Sequence, residues 1–261
     1  MRVKPKQTKT MNVVLIGSGN VATVIGRLVT RNNHKVIQVV SRNIDHAKTL
    51  ASELNAAFSD YNGQLDKSAD IYIIAVSDMA IHECVQHFNI HDKIVVHTAG
   101  SVSKDVLKNT AYNYGVLYPL QSLRREMQEI PNIPFLVDGN NEAVLKAIYD
   151  FAKTLSANVQ VMHDDDRLKL HTAAVIVSNF TNHLYAIAED FCNREHVDFG
   201  LLKPLILETA SRINEKSPSE VQTGPAVRKD IHTLDKHLKI LANHPKLRTT
   251  YMRLTDSIMN P

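Results

Sequence analysis

Cysteine is nearly absent from the 261 residues: Cys84 and Cys192 stand alone, with no C-x-x-C pair. That argues against a disulfide framework and predicts a reduced, cytoplasmic setting. An excess of one charge is also lacking. The formal net charge is +3, and Lys and Arg are interspersed with Asp and Glu. This reads as a solvated surface, with no nucleic-acid groove expected. Long apolar runs are missing as well. The run at residues 13–16 stops at Gly17, too short for a signal-peptide core, and no stretch approaches membrane-spanning length. Residues 1–10 are expected to form a loose tail. Thirteen histidines offer no metal site by spacing. His82 and His87, like His232 and His237, are five apart, about 140° around a helix, unlike the i, i+4 pairs of zinc helices. A G-x-S-x-G nucleophile elbow is absent too.

What is present is an ordinary globular composition, 44% apolar and 22% charged, enough to bury a sizeable core. Strands are predicted at residues 11–16, 35–40, 71–76, 93–96, 115–117, 135–137 and 159–162. Helices are predicted at 20–30, at 44–54 with Asn43 as N-cap, and after Asp78, which is expected to cap its helix. Residues 71–76 are continuously apolar, as a strand covered on both faces should be. The alternation predicts an α/β fold with a mostly parallel, doubly wound Rossmann sheet. From residue 164 the character changes. A helix without Pro or Gly is predicted at 164–193, with Asp164, Asp165 and Asp166 in its first turn. Further helices are expected near 198–214, 226–242 and 246–258. The chain is therefore read as a dinucleotide-binding domain at 11–163 and an all-helical domain at 164–261.

Gly17-Ser18-Gly19-Asn20-Val21-Ala22 is a G-x-G-x-x-A turn between a predicted strand and a predicted helix. The first glycine makes the turn, the second admits a pyrophosphate, and the small third position lets helix and sheet pack. At the second strand's end, where an NAD site places a carboxylate, the chain reads Ser41-Arg42-Asn43. Arg42 suits a 2′-phosphate and Ser41 can donate a hydrogen bond, so NADP is the expected cofactor.

Two segments at strand ends are candidates for the reacting end. In one, Thr98, Ala99 and Gly100 are expected to approach the nicotinamide, with His97 as a candidate acid. The other is Tyr118-Pro119-Leu120-Gln121-Ser122. On the long helix, at 100° per residue, His171, Ser178 and Asn182 fall within about 40° of one another, with Asn179 beside them. A polar stripe among apolar neighbours needs partners if buried. It is read as a substrate-binding face, with a core network or a dimer contact as the alternatives. Lys169 projects from nearly the opposite face.

The turn at 17–22, Ser41-Arg42, the strand end Ala75-Val76 and Ala99-Gly100 resemble the coenzyme domain of pyrroline-carboxylate reductases and deazaflavin-dependent NADP reductases. From about residue 11 onward, the whole chain is similar to a family that joins a Rossmann-like domain to a C-terminal domain of unknown function. Residues 97–101, 115–122, 170–182 and 224–228 carry that resemblance. It implies the two-domain architecture of the phosphogluconate and hydroxyacid dehydrogenase superfamily, often dimeric through the helices, with Ala75 and Val76 beside the cofactor. Those enzymes carry Lys and Asn four residues apart on the long helix. Here Ala173 follows Lys169 by four, so the role does not transfer, and His171, Ser178, Asn179 and Asn182 are the nearest substitute. The expected function is an NADP(H)-dependent oxidoreductase acting on a small polar carbonyl/hydroxyl or imine/amine compound, as a homodimer through the C-terminal helices. A non-catalytic NADP(H)-binding sensor or scaffold is the alternative.

Overall fold

The computed structural model describes residues 10–261, so all but the last residue of the expected tail lies outside the described residues. The chain divides into two compact units, one ending at Ile176 and the other spanning Val177–Pro261.

The first unit alternates strands and helices. In chain order these are β1 (Asn12–Ile16), α1 (Asn20–Arg31), β2 (Lys35–Val40), α2 (Ile44–Leu54), β3 (Ala57–Ser59), β4 (Ile71–Ile74), α3 (Asp78–Val85), β5 (Ile94–His97), β6 (Asn113–Pro119), β7 (Phe135–Gly139), α4 (Glu142–Leu155), β8 (Val159–Val161) and α5 (Asp164–Ala174). They build one eight-stranded sheet in the order β3-β2-β1-β4-β5-β6-β7-β8. The β6–β7 pair is antiparallel and the other described pairings are parallel. The order reverses between β1 and β4, the switch point where open sheets of this kind bind ligands beyond the strand C-termini.

Successive β1 side chains serve opposite faces. Val13 and Leu15 pack with Val24, Ile25 and Leu28 of α1. Val14 and Ile16 pack with Ile81 and Val85 of α3. All four β1 side chains are fully buried, each worth about 1.5–3 kcal/mol of transfer free energy. This two-faced burial fixes where the β1–α1 turn emerges. Asn43 caps α2 as expected: its Oδ1 accepts from the backbone N–H of Asp45 and His46, at 2.9 and 3.1 Å. Asp78 does not cap α3. Ser77 holds the N-cap position and Asp78 is the first helical residue. There its charge still complements the helix dipole, and its carboxylate is free to accept from Ser101 Oγ.

The long helix predicted at 164–193 is broken. After α5 comes a π-helical turn, Val175–Phe180, and then α6 (Thr181–Arg194). A π turn closes i→i+5 bonds, so a uniform 100° step across it does not apply. The division between units also falls in this turn, past the expected boundary at 163/164. Arg167 joins α5 to the first unit, with a side chain that is only 1% exposed. Its Nη2 donates to Val102 O at 2.5 Å and to Asp164 Oδ1 at 2.8 Å, tying α5 to the loop after β5.

The second unit is helical throughout its regular structure: α6, α7 (Lys203–Arg212), α8 (Ile231–Ile240) and α9 (Pro245–Met259), with short 3-10 turns between. The helix expected from residue 226 begins at Ile231, capped by Asp230, which accepts from Thr233 N. Little of this unit is buried: Cys192, Ala226, Leu234, Leu241 and His244. Phe180, Leu201, Leu205, Leu207 and Ile213 are each more than half exposed.

Candidate functional site

At the switch point lies a cleft of about 720 Å³, contained in the first unit. Its floor is the β1–α1 turn. Gly17 has φ +127°, and a Cβ there would lie 2.2 Å from Ala75 O, so both the turn and the neighbouring strand require glycine. Gly19 is different. A Cβ on it meets no protein atom within 4 Å, so the space above it belongs to the cleft. Gly19 is also the N-cap of α1 and offers no side-chain cap. The first N–H groups of α1 therefore face the cleft with their positive potential uncancelled, the arrangement that receives phosphate.

One end of the cleft is the tip of β2, formed by Ser41, Arg42 and Asn43. Ser18 Oγ and Ser41 Oγ share a 2.8 Å hydrogen bond, which joins this tip to the glycine turn. Arg42 is exposed and has no hydrogen bond or ion pair among the described residues. The other end is formed by Ala75 and Val76 after β4, and by Thr98 after β5. Asn20 and Val21 complete the expected lining. Three expected residues lie outside it. Ala22 is fully buried under the turn, where its small side chain serves packing. Ala99 is 3% exposed, and its N–H donates to His97 Nδ1. Gly100 was expected to approach the nicotinamide, but its Cβ direction points at His171 and Tyr118.

The cleft also has residues that the sequence reading missed: His46, Tyr61, Ser77, Asp78, Ala80, Glu83 and Cys84. His46 lies in the first turn of α2, and Ser77 to Cys84 run from the N-cap of α3 to its last turn, so their only local signal was position. Tyr61 comes from the loop after β3 and carries no motif. Burial pushes the Tyr61 phenol well above its ordinary value, with Cys84 beside it adding to the rise.

Beyond Thr98 stands a second group of residues. Tyr118 Oη and His171 Nδ1 are 2.9 Å apart, with the rings edge to face. Burial raises the Tyr118 phenol and the Asp78 carboxylate raises it further, against an opposing effect of Arg167. The phenol is thus held in its protonated form. Arg167 and His171, four apart on α5, share a helix face. His97, the expected candidate acid, does not line the cleft. It is fully buried, Nδ1 already accepts from Ala99 N–H at 3.1 Å, and Nε2 has no partner. Burial first, and then the Arg167 charge, push its pKa down to about 4. The Ser103 backbone opposes this shift. Ser178 and Asn179 lie in the π turn and Asn182 in α6, all in the second unit. Ser178 is half-buried, while Asn179 and Asn182 are exposed. They form no buried polar stripe. Lys169 pairs on the surface with Asp166 at 2.8 Å.

A doubly wound sheet with an uncapped glycine turn at its switch point, followed by a helical unit, defines the class: a Rossmann-type oxidoreductase fold. BF3122, a candidate NADP oxidoreductase from Bacteroides fragilis, is 34% identical to this chain, with 97% of this chain and 99% of that one covered at a TM-score of 0.89. The chain belongs to the NADP oxidoreductase family of which BF3122 is a member. Residues 12–100 match the family described as NADP oxidoreductase, coenzyme F420-dependent, and residues 133–258 match a domain of unknown function, DUF2520. Two more distant structures share the fold. One is 1-pyrroline-5-carboxylate reductase from Streptococcus pyogenes, at 12% identity and TM-score 0.64, covering 97% of this chain and 100% of that one. The other is a reductive aminase from Aspergillus terreus, solved with NADPH and ethyl-5-oxohexanoate, at 14% and 0.67, covering 95% and 93%. Glutamyl-tRNA reductase of Methanococcus maripaludis is 26% identical over 148 residues, which span 52% of this chain and 38% of that protein.

Proposed function

We propose that this protein is an NADP(H)-dependent reductase of small polar compounds bearing a C=O or C=N group. The observation that carries the reading is the cleft. It has open space over Gly19, an uncapped α1 N-terminus, and at the β2 tip an unpaired Arg42 with no carboxylate in place of Ser41 or Arg42. Those residues fit a dinucleotide diphosphate and a 2′-phosphate. The reductive aminase solved with NADPH and a ketone supports the choice of cofactor and of bond. The family description that includes F420 leaves open a deazaflavin as hydride partner in place of an organic substrate.

The nicotinamide would supply or accept hydride. Thr98, Val76 and Asp78 border the end of the cleft where that ring would lie. Tyr118 and His171 hold a proton between them at Oη and Nδ1, and this dyad delivers it to the oxygen or nitrogen of the reduced bond. The Gly100 backbone sets the position of both rings. In this reading the exposed apolar side chains of the helical unit meet a second copy, as a two-fold dimer requires, in a reducing compartment that suits two unpaired cysteines. No described helix is long and apolar enough to cross a membrane.

The test is NADPH consumption against a panel of cyclic imines, keto acids and ketones, with wild type and Tyr118→Phe. Turnover of one class, lost in the variant with NADPH affinity unchanged, supports the reading. Full turnover by Tyr118→Phe removes the dyad from the mechanism. Absence of NADPH binding ends the proposal.

A further inference from the structure

The loop between β6 and β7, residues 120–134, runs along α1 from its first residue to its last. Three side chains hold it there. Arg27 Nη1 donates to the carbonyls of Arg125 and Met127 at 2.6 and 3.2 Å. Arg31 Nη2 donates to Gln128 O at 3.3 Å. Asn20, the first residue of α1, uses its Oδ1 not to cap the helix but to accept from both Arg125 N and Arg125 Nε, at 3.3 and 3.2 Å. These bonds fix the Arg125 guanidinium beside the glycine turn. Its two terminal amino groups carry no protein partner among the described residues.

Arg125 lines a hollow of about 240 Å³ that shares Ser18 and His46 with the main cleft. Two carboxylates border the hollow, those of Glu53 and Glu126. Glu53 is taken by Arg27, through bonds of 2.5 and 3.2 Å. An exposed arginine gives up side-chain freedom when held this way, and Nε occupied by Asn20 leaves the outer edge of the fork free. That edge is the part that grips a phosphate in bidentate fashion.

We infer that Arg125 is a phosphate-binding residue of the dinucleotide site, contributed by a loop far from the glycine motif in sequence. The inference rests on the cofactor reading above and deepens it. Arg42 approaches from the β2 tip, the α1 N-terminus from below, and Arg125 from the loop side. The cofactor's phosphates are thereby enclosed by cationic and N–H donors on three sides.

The test is calorimetric titration of wild type and Arg125→Ala with NADPH and with NADH. The residue is exposed, and far-UV circular dichroism with a thermal melt verifies that the variant folds. Loss of a charge-assisted contact is expected to weaken binding about tenfold. An equal loss for both cofactors assigns Arg125 to the diphosphate, and a loss confined to NADPH assigns it to the 2′-phosphate. Either result supports the inference. Affinities within twofold of wild type for both cofactors overturn it while leaving the cofactor reading intact. A wild type that binds neither cofactor overturns both.

Discussion

Gly100→Ala separates two roles for the loop after β5. An added Cβ would lie 2.6 Å from His171 Nδ1, 2.9 Å from its Cγ and 2.9 Å from Tyr118 Cζ. Ordinary carbon contacts need about 3.5–4.0 Å, so both rings must retreat by roughly 1 Å. The 2.9 Å bond between Tyr118 and His171 does not survive that movement. Overpacking costs about 1–3 kcal/mol and the lost hydrogen bond about 1 kcal/mol. A total of about 2–4 kcal/mol lowers the melting temperature by roughly 4–16 °C for a chain of this size. Gly100 does not line the cleft, so NADPH affinity should stay within about threefold of wild type, under 1 kcal/mol. Thermal melts and NADPH titration of the one variant decide the matter. An unchanged melting temperature with a large loss of cofactor affinity would refute the reasoning and return Gly100 to the nicotinamide.

The two glycines of the turn should fail in opposite ways. Gly17→Ala forces a Cβ against Ala75 O at positive φ and should destabilise the fold by about 3 kcal/mol or more, on the scale of core overpacking and backbone strain. Gly19→Val should fold normally yet lose measurable dinucleotide binding, so matched melts with cofactor lost would bear out the cradle, and retained binding would not. His97 gives a pH dependence. Its folded pKa of about 4 lies below the unfolded 6.5, so the unfolded chain binds the proton first as pH falls. Stability present above pH 6.5 is lost between 6.5 and about 4, by up to roughly 3 kcal/mol. His97→Asn keeps an acceptor for Ala99 N–H without titrating. Urea unfolding at pH 7 and 4.5 should show a smaller loss in that variant, and an identical loss would remove His97 as its source. Light scattering should find a species of about twice 29.3 kDa, and a monomer at micromolar concentration would contradict the proposed dimer.

Features with a local cause were readable in the chain itself. The turn at 17–22, the Asn43 cap and the apolar run of β4 each depend on a few consecutive residues. The edge strand β3 was not readable, because it has three residues and Ala57 and Phe58 are exposed. Such a strand exists by pairing with β2, not by pattern. The π turn escaped for a related reason: residues 164–193 contain no helix breaker, and a uniform helix was the natural extrapolation. The uniform 100° spacing used for His171, Ser178 and Asn182 does not carry through that turn. Arg125 had no local signal. Its relation to Asn20 spans 105 positions and exists only once the β6–β7 loop folds over α1.

The proposed NADP(H) site rests on the glycine turn and Arg42. The most direct measurement is calorimetric titration of wild type and Arg42→Ala with NADPH and NADH. Wild type is expected to bind NADPH more tightly than NADH, and Arg42→Ala to lose about 1.5–3 kcal/mol of that preference while its affinity for NADH barely moves. Equal affinity for both cofactors in both proteins, or binding of neither, would contradict it.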